Sequence, residues 1–158
     1  MKELVNQLLK LFADKKTRIA LAESVTCGLA SHQLNISDGT SEVFMGSVIC
    51  YNEKVKTDLI GISASLIKKY TAESQEVTDA LVENLPKLID AEMYAAITGL
   101  AAPGGSETES KPVGTVFFSL MYQGKITRQK KLFKGSPLQI KKKACEEVYK
   151  LMMARLQE

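Results

Sequence analysis

With 158 residues, 45% of them hydrophobic, the chain is sized for a single domain (1–158) with its own core and leaves little room for a second. The net charge of +3 is small, and the basic residues are dispersed apart from Lys141–Lys143 and Arg128–Lys131, which argues against a nucleic-acid groove. Three cysteines without a CxxC pair and one histidine, His32, support neither a disulfide scaffold nor a metal site, and no apolar run approaches the roughly 20 residues that span a bilayer. The expectation is a cytoplasmic protein with reduced thiols, no metal and no membrane anchor.

Leu4, Leu8, Leu9 and Phe12 recur at helical spacing between charged residues and predict an amphipathic first helix. Ile19 to Ala22 reads as a buried strand, followed by the polar turn Glu23-Ser-Val-Thr-Cys-Gly28 and a helix start at Leu29 to Leu34. Asp38 to Ser41 marks a loop, and Val43 to Tyr51 is a second strand that delivers Tyr51, Asn52 and Lys56 to its far end. A short helix then closes at Gly61. Ser74 is the expected N-cap of a helix running to about Ile89, with Pro86 placed to kink or split it.

Met93 to Ile97 forms a third apolar run. Val113 to Tyr122, the turn Gln123-Gly124-Lys125, and Ile126 to Phe133 read as a β-hairpin. Ser136-Pro137 opens the last helix as N-cap and first helical residue, and Ile140, Ala144, Val148, Leu151 and Arg155 line one stripe. This order predicts an α/β fold: a three-layer-like domain with helices packed on a mixed, partly parallel sheet. Ligands of such sheets gather at the carboxyl ends of strands, where Ser24, Tyr51 and Thr98 converge.

The third run empties into Thr98-Gly-Leu-Ala-Ala-Pro-Gly-Gly105, and three glycines and two prolines fall between Gly99 and Pro112. A glycine pair is entropically costly to order, and its benefit is unusual dihedrals and close approach of N–H groups to a bound group, often an anion. Ser24, at a strand-to-helix turn, is a weak nucleophile until a base takes its proton. His32 lies about two turns along the following helix, out of easy reach, which leaves a lysine. A lysine serves as base when burial or a nearby cation lowers its pKa, and Lys54 and Lys56 are both candidates. Glu23 has two readings: orienting the lysine or activating water, or binding N–H groups of its own turn.

Four segments resemble the CinA C-terminal domain family, whose stand-alone members are nicotinamide mononucleotide amidohydrolases. They are Leu21 to Gly28, Gly39 to Phe44 with Tyr51 to Lys56, Thr98 to Gly105, and Lys111 to Val116. The resemblance implies an α/β fold and hydrolysis of the carboxamide of nicotinamide mononucleotide to nicotinate mononucleotide and ammonia, without cofactor or metal. It places the nucleophile on Ser24 and the base on Lys56, which precedes Leu59-Ile-Gly61. For that mechanism the expected oxyanion donors are the N–H groups of Thr26 to Gly28 at the new helix start; Tyr51 and Thr98 would hold the substrate or orient Lys56, and the loop from Gly99 through Gly104 and Gly105 would wrap the nucleotide. The implied partner is a small-molecule nucleotide, with no nucleic acid and no membrane, and the apolar content permits a homodimer.

The chain departs from the family pattern at three places. Val25 and Cys27 stand for cysteine and the first of two glycines, so a positive φ at Cys27 would be strained. Ala102 replaces a glycine. The family signature Phe-x-Gly-Asp-Arg-x-x-x-Arg reads Phe133-Lys-Gly-Ser-Pro-Leu-Gln-Ile-Lys141, which preserves the helix cap and reduces an arginine fork to the point charge of Lys141. Two alternatives stand beside the amidase reading: a non-catalytic nucleotide-binding or interaction protein on the same fold, and an amidase for a different small amide.

Overall fold

Period-2 patterning in the apolar runs sends alternate side chains to opposite faces of one sheet. The computed structural model describes residues 1–158 and contains β1 (Ile19–Glu23), β2 (Phe44–Ile49), β3 (Met93–Gly99), β4 (Thr115–Tyr122) and β5 (Lys125–Leu132), in the order β2-β1-β3-β4-β5. β1 runs parallel to β2 and β3, whereas β4 is antiparallel to both β3 and β5. β1 is buried at every position, as expected of a parallel strand covered on both faces.

Ile19 and Leu21 of β1 join Met93, Ala95 and Ile97 of β3 on one face. They pack with Leu8 and Phe12 of α1 (Lys2–Asp14), Leu34 of α2 (Leu29–Asn35), Val43 of α3 (Thr40–Val43), and Val148 and Tyr149 of α7 (Pro137–Gln157). The opposite face presents Ala20, Ala22, Tyr94 and Ala96 to Val77 and Leu81 of α6 (Gln75–Asn84) and Ile67 of α5 (Ala64–Tyr70). Small side chains there let the covering helix approach the sheet closely. Each large apolar side chain withdrawn from water contributes about 1.5–3 kcal/mol, so both faces are needed to hold the three layers.

The local signals act at the expected places. Ser74 accepts a hydrogen bond from Val77 N, and Ser136 and Gln139 form a reciprocal capping box with Pro137 at the first helical position. Gln123 and Gly124 both have positive φ, 52° and 72°, which joins β4 to β5 by a two-residue turn and moves Lys125 into the strand.

Several boundaries differ from the sequence expectation. α6 ends at Asn84 and continues as a 3₁₀ turn over Leu85–Lys87, because Pro86 has no N–H for the α-helical ladder. β4 starts at Thr115 and not at Val113, since both the N–H and the hydroxyl of Thr115 donate to Pro112 O and hold those residues in a turn. The buried seam of α7 runs from Ile140 through Ala144 and Val148 to Met152 and Leu156, leaving Leu151 and Arg155 at its edge. α3 and α5 were not foreseen, because at four and seven residues they are too short to display a period.

Candidate active site

The carboxyl ends of β1, β2 and β3 meet around Ser24. Its N–H donates to Ile97 O at 2.9 Å, and Cys50 N donates to Glu23 O at 2.8 Å, so the turn after β1 is pinned to both neighbouring strands. Beyond β2, Asn52 caps α4 (Glu53–Asp58) by accepting from Lys54 N at 2.8 Å. This short helix turns Lys56 inward and Lys54 outward. Lys54 pairs with Asp58 in solvent, whereas Lys56 is fully buried with its Nζ 3.1 Å from Ser24 Oγ.

Lys56 Nζ also donates to Cys50 O at 2.5 Å and to Tyr51 O at 3.3 Å. Neither acceptor carries a full charge to hold the ammonium, and burial lowers the Lys56 pKa below the ordinary lysine range against weaker opposing contributions from Cys50, Glu73 and Glu53. Burial also pushes the Cys50 thiol up to about 11, which keeps it protonated near neutrality. Ser24 is 4% exposed, so the pair sits at the floor of the site. His32 is exposed and plays no part in this contact.

Glu23 has a structural position. Its buried carboxylate accepts from Gly28 N at 2.9 Å, Ala30 N at 3.2 Å, Ser31 N at 2.9 Å and Thr26 Oγ1 at 2.7 Å, and from the Ser31 hydroxyl. The carboxylate therefore satisfies the opening N–H groups of α2 and folds the turn over itself. Gly28 N–H is consequently spent, which removes it from the expected oxyanion donors. The N–H groups of Val25, Thr26 and Cys27 have no acceptor within the protein.

Cys27 stands at φ 50° with its side chain exposed, directly before Gly28 at φ 89°. A left-handed backbone costs a residue with a Cβ about 1 kcal/mol relative to glycine, so Cys27→Gly is expected to raise Tm by roughly 2–4 °C. A thermal melt of both forms checks this, and an unchanged or lower Tm would show that the cysteine is not strained there.

A cavity of about 600 Å³ opens above Ser24. Among the residues expected at the site, Ser24, Tyr51, Gly99, Gly104, Gly105 and Lys141 line it, with Lys141 and Pro137 contributed by the first turns of α7. Tyr51 stands at the mouth, 73% exposed. Gly99 allows the loop to cross β4: a Cβ there would lie 2.6 Å from Thr115 O, an immobile backbone atom.

Four expected residues sit outside the lining: Lys56, fully buried against Ser24, and Thr26, Gly28 and Thr98. Thr26 and Gly28 serve Glu23, and Thr98 is buried beneath the cavity with its hydroxyl 2.7 Å from Thr78 Oγ1. The two glycines of the loop also differ from expectation, because Gly104 N and Gly105 N donate to Glu107 Oε1 and Oε2, each at 2.8 Å, and not toward the cavity. Sequence reasoning missed Glu53, Ala72 and Glu73, which complete the wall. Glu53 follows the Asn52 cap of α4, and Ala72 and Glu73 precede the Ser74 cap of α6, so only the packing of those two helices brings the three to the cavity. No helix is long and apolar enough to cross a membrane.

The geometry has clear relatives. A CinA-like protein of Thermotoga neapolitana is 39% identical over 127 residues, covering 80% of this chain and 30% of its own length. A CinA-like protein of Pseudothermotoga lettingae is 36% identical over 113 residues, 72% of this chain and 28% of its own. The chain thus spans about 30% of the length of these relatives. Among solved structures, a CinA superfamily protein from Klebsiella pneumoniae superposes with a TM-score of 0.93 at 23% identity, over 99% of this chain and 97% of that one. Another, from Enterobacter cloacae, gives 0.88 at 26% identity, over 96% and 92%. The model of the CinA C-terminal domain matches residues 1–156, and the chain belongs to that family.

Proposed function

We propose that this domain is an amidohydrolase that releases ammonia from the carboxamide of nicotinamide mononucleotide or a close relative, using Ser24 as nucleophile and Lys56 as base. The observation that carries this reading is the 3.1 Å contact between Lys56 Nζ and Ser24 Oγ at the floor of a cavity large enough for a nucleotide-sized ligand. Desolvation favours the neutral amine, the form able to accept a proton.

In this mechanism Ser24 Oγ attacks the amide carbon as its proton passes to Lys56 Nζ. Charge develops on the amide oxygen, and the free N–H groups of Val25, Thr26 and Cys27 are the available donors for it. The Lys56 ammonium then protonates the departing nitrogen, ammonia leaves, and water opens the acyl-serine with Lys56 again accepting the proton. Backbone acceptors at Cys50 and Tyr51 hold the amine in place through both steps.

The test is release of ammonia and nicotinate mononucleotide from nicotinamide mononucleotide, run beside Ser24→Ala. The variant is expected to lose activity by about 10⁴-fold or more. Release that survives in folded Ser24→Ala would overturn the nucleophile assignment. Ligand binding by the unmodified protein without any turnover would favour a nucleotide-binding module on the same fold.

A further inference from the structure

Thr71 stands at φ 71° and ψ 158°, a backbone region that glycine occupies freely and a β-branched residue almost never does. It ends α5 and opens the link Thr71-Ala72-Glu73 that leads to the Ser74 cap of α6. A residue persists in such a conformation only where its neighbours over-determine it.

Those neighbours come partly from the link itself. Thr71 N–H donates to Ile67 O at 2.8 Å, and Thr71 O accepts from Ser74 Oγ at 2.9 Å. The others come from a loop 40 residues further along the chain. Lys111 Nζ donates to Thr71 Oγ1 at 2.6 Å, to Ser106 Oγ at 2.7 Å and to Glu73 O at 3.0 Å, which uses all the ammonium protons. Ser106 Oγ lies 3.2 Å from Thr71 Oγ1, and its hydroxyl donates to the Glu73 carboxylate at 2.5 Å. Thr108 and Lys111 exchange both backbone hydrogen bonds, at 3.0 and 3.1 Å, so a tight turn aims Lys111 back at the link.

Both sides of this clasp are walls. Ala72 and Glu73 on one side, and Gly104 and Gly105 on the other, line the Ser24 cavity. The same four residues line an adjoining cavity of about 560 Å³, so the clasped segments form the wall common to both. Lys111 itself lines neither.

Resting on the amidase reading, we infer that Lys111 is a positioning residue for the Ser24 cavity: it holds the strained Thr71 link against the glycine loop and so fixes the wall that a bound nucleotide meets. Without the ammonium, Thr71 relaxes toward ordinary dihedrals and carries Ala72 and Glu73 away from Gly104 and Gly105. Ser24 and Lys56 ride on other elements, so the chemical step keeps its geometry and the loss falls on binding. Glycine at position 71 removes the strain, and the link then keeps its course without being held.

The experiment measures ammonia release from nicotinamide mononucleotide by the unmodified chain, Lys111→Met, Thr71→Gly and the double variant. Lys111→Met is expected to raise KM by about tenfold with kcat kept within about threefold. In the Thr71→Gly background the same replacement is expected to raise KM by no more than about threefold, a coupling that loss of charge or packing alone would not produce. An equal rise in both backgrounds, or a loss confined to kcat, overturns the inference and leaves the amidase reading in place. Hydrogen exchange on the ligand-free proteins reads the clasp without turnover. The amides of Gly104, Gly105, Thr108 and Lys111 should exchange at least about threefold faster in Lys111→Met, with those of β1 and β3 unchanged. Unchanged exchange at the loop amides also overturns the inference. If the unmodified chain binds nicotinamide mononucleotide without releasing ammonia, the amidase reading fails, and calorimetric Kd values of the four proteins decide the clasp by the same tenfold and threefold limits. Absence of both binding and turnover sinks both.

Discussion

Replacing Lys56 with methionine is expected to reduce kcat/KM for ammonia release by about 10²–10⁴-fold, the usual weight of a positioned general base. Methionine fills much of the same buried space but cannot accept the Ser24 proton. In the unmodified chain kcat/KM should rise with pH through the Lys56 titration, and that limb should lie below the ordinary lysine value of about 10.4 because burial lowers the pKa. The variant's residual rate should lack the limb. A limb that persists in Lys56→Met would assign the base to another group.

The same pKa shift has a stability consequence of definite sign. As pH falls below the unfolded lysine value, the unfolded chain takes up a proton that the folded chain resists, so the unmodified protein loses stability down to the depressed folded pKa. Lys56→Met lacks that proton, and the stability difference should therefore move in its favour as pH falls through this window. Lost contacts to Cys50 O and Tyr51 O add an offset that does not depend on pH. Denaturant unfolding across the window reads the slope, and parallel curves would show that Lys56 is not depressed.

The second large effect is structural. Glu23→Ala removes the acceptor of three backbone N–H groups and two hydroxyls in a buried turn, leaving at least Ala30 N–H without a partner in the core. Each orphaned buried donor costs about 1–3 kcal/mol, so a loss of about 3 kcal/mol or more and a Tm lower by roughly 6–12 °C are expected. Activity should fall with it, since Ser24 and the free N–H groups of Val25 to Cys27 ride on the same turn. A Tm within 2 °C of the unmodified protein, at the precision of a thermal melt, would mean that water replaces the carboxylate without cost.

Among the local elements, those with long or chemically marked signals were readable beforehand. The apolar strand runs, the serine caps at Ser74 and Ser136, the proline at position 137 and the Gln123-Gly124 turn each act within a few residues, through backbone geometry and short-range hydrogen bonds. Short helices α3 and α5 were invisible for the complementary reason: they are held by their neighbours and carry too few residues to show a period. For the proposed base, spacing left Lys54 and Lys56 open, and the family resemblance pointed to Lys56. The fold brings only Lys56 against Ser24, because the Asn52 cap sets the phase of α4 and one face of that helix meets the serine.

Glu23 and Glu107 mark the limit of sequence reading. As letters, Glu107 is a charged residue in a polar loop that invites a solvent-facing role, whereas Glu23 left two readings open, acting beside the nucleophile or binding the N–H groups of its own turn, and the structure shows the second. In the folded chain each carboxylate turns back onto glycine N–H groups that the loop pattern had offered to a ligand. By itself the sequence determined the layers, the order of elements and the residues able to perform chemistry, because periodicity, caps and turn residues are local properties. Tertiary structure alone decided which lysine loses its water and which N–H groups remain free, because desolvation and hydrogen-bond satisfaction depend on atoms brought together from distant parts of the chain.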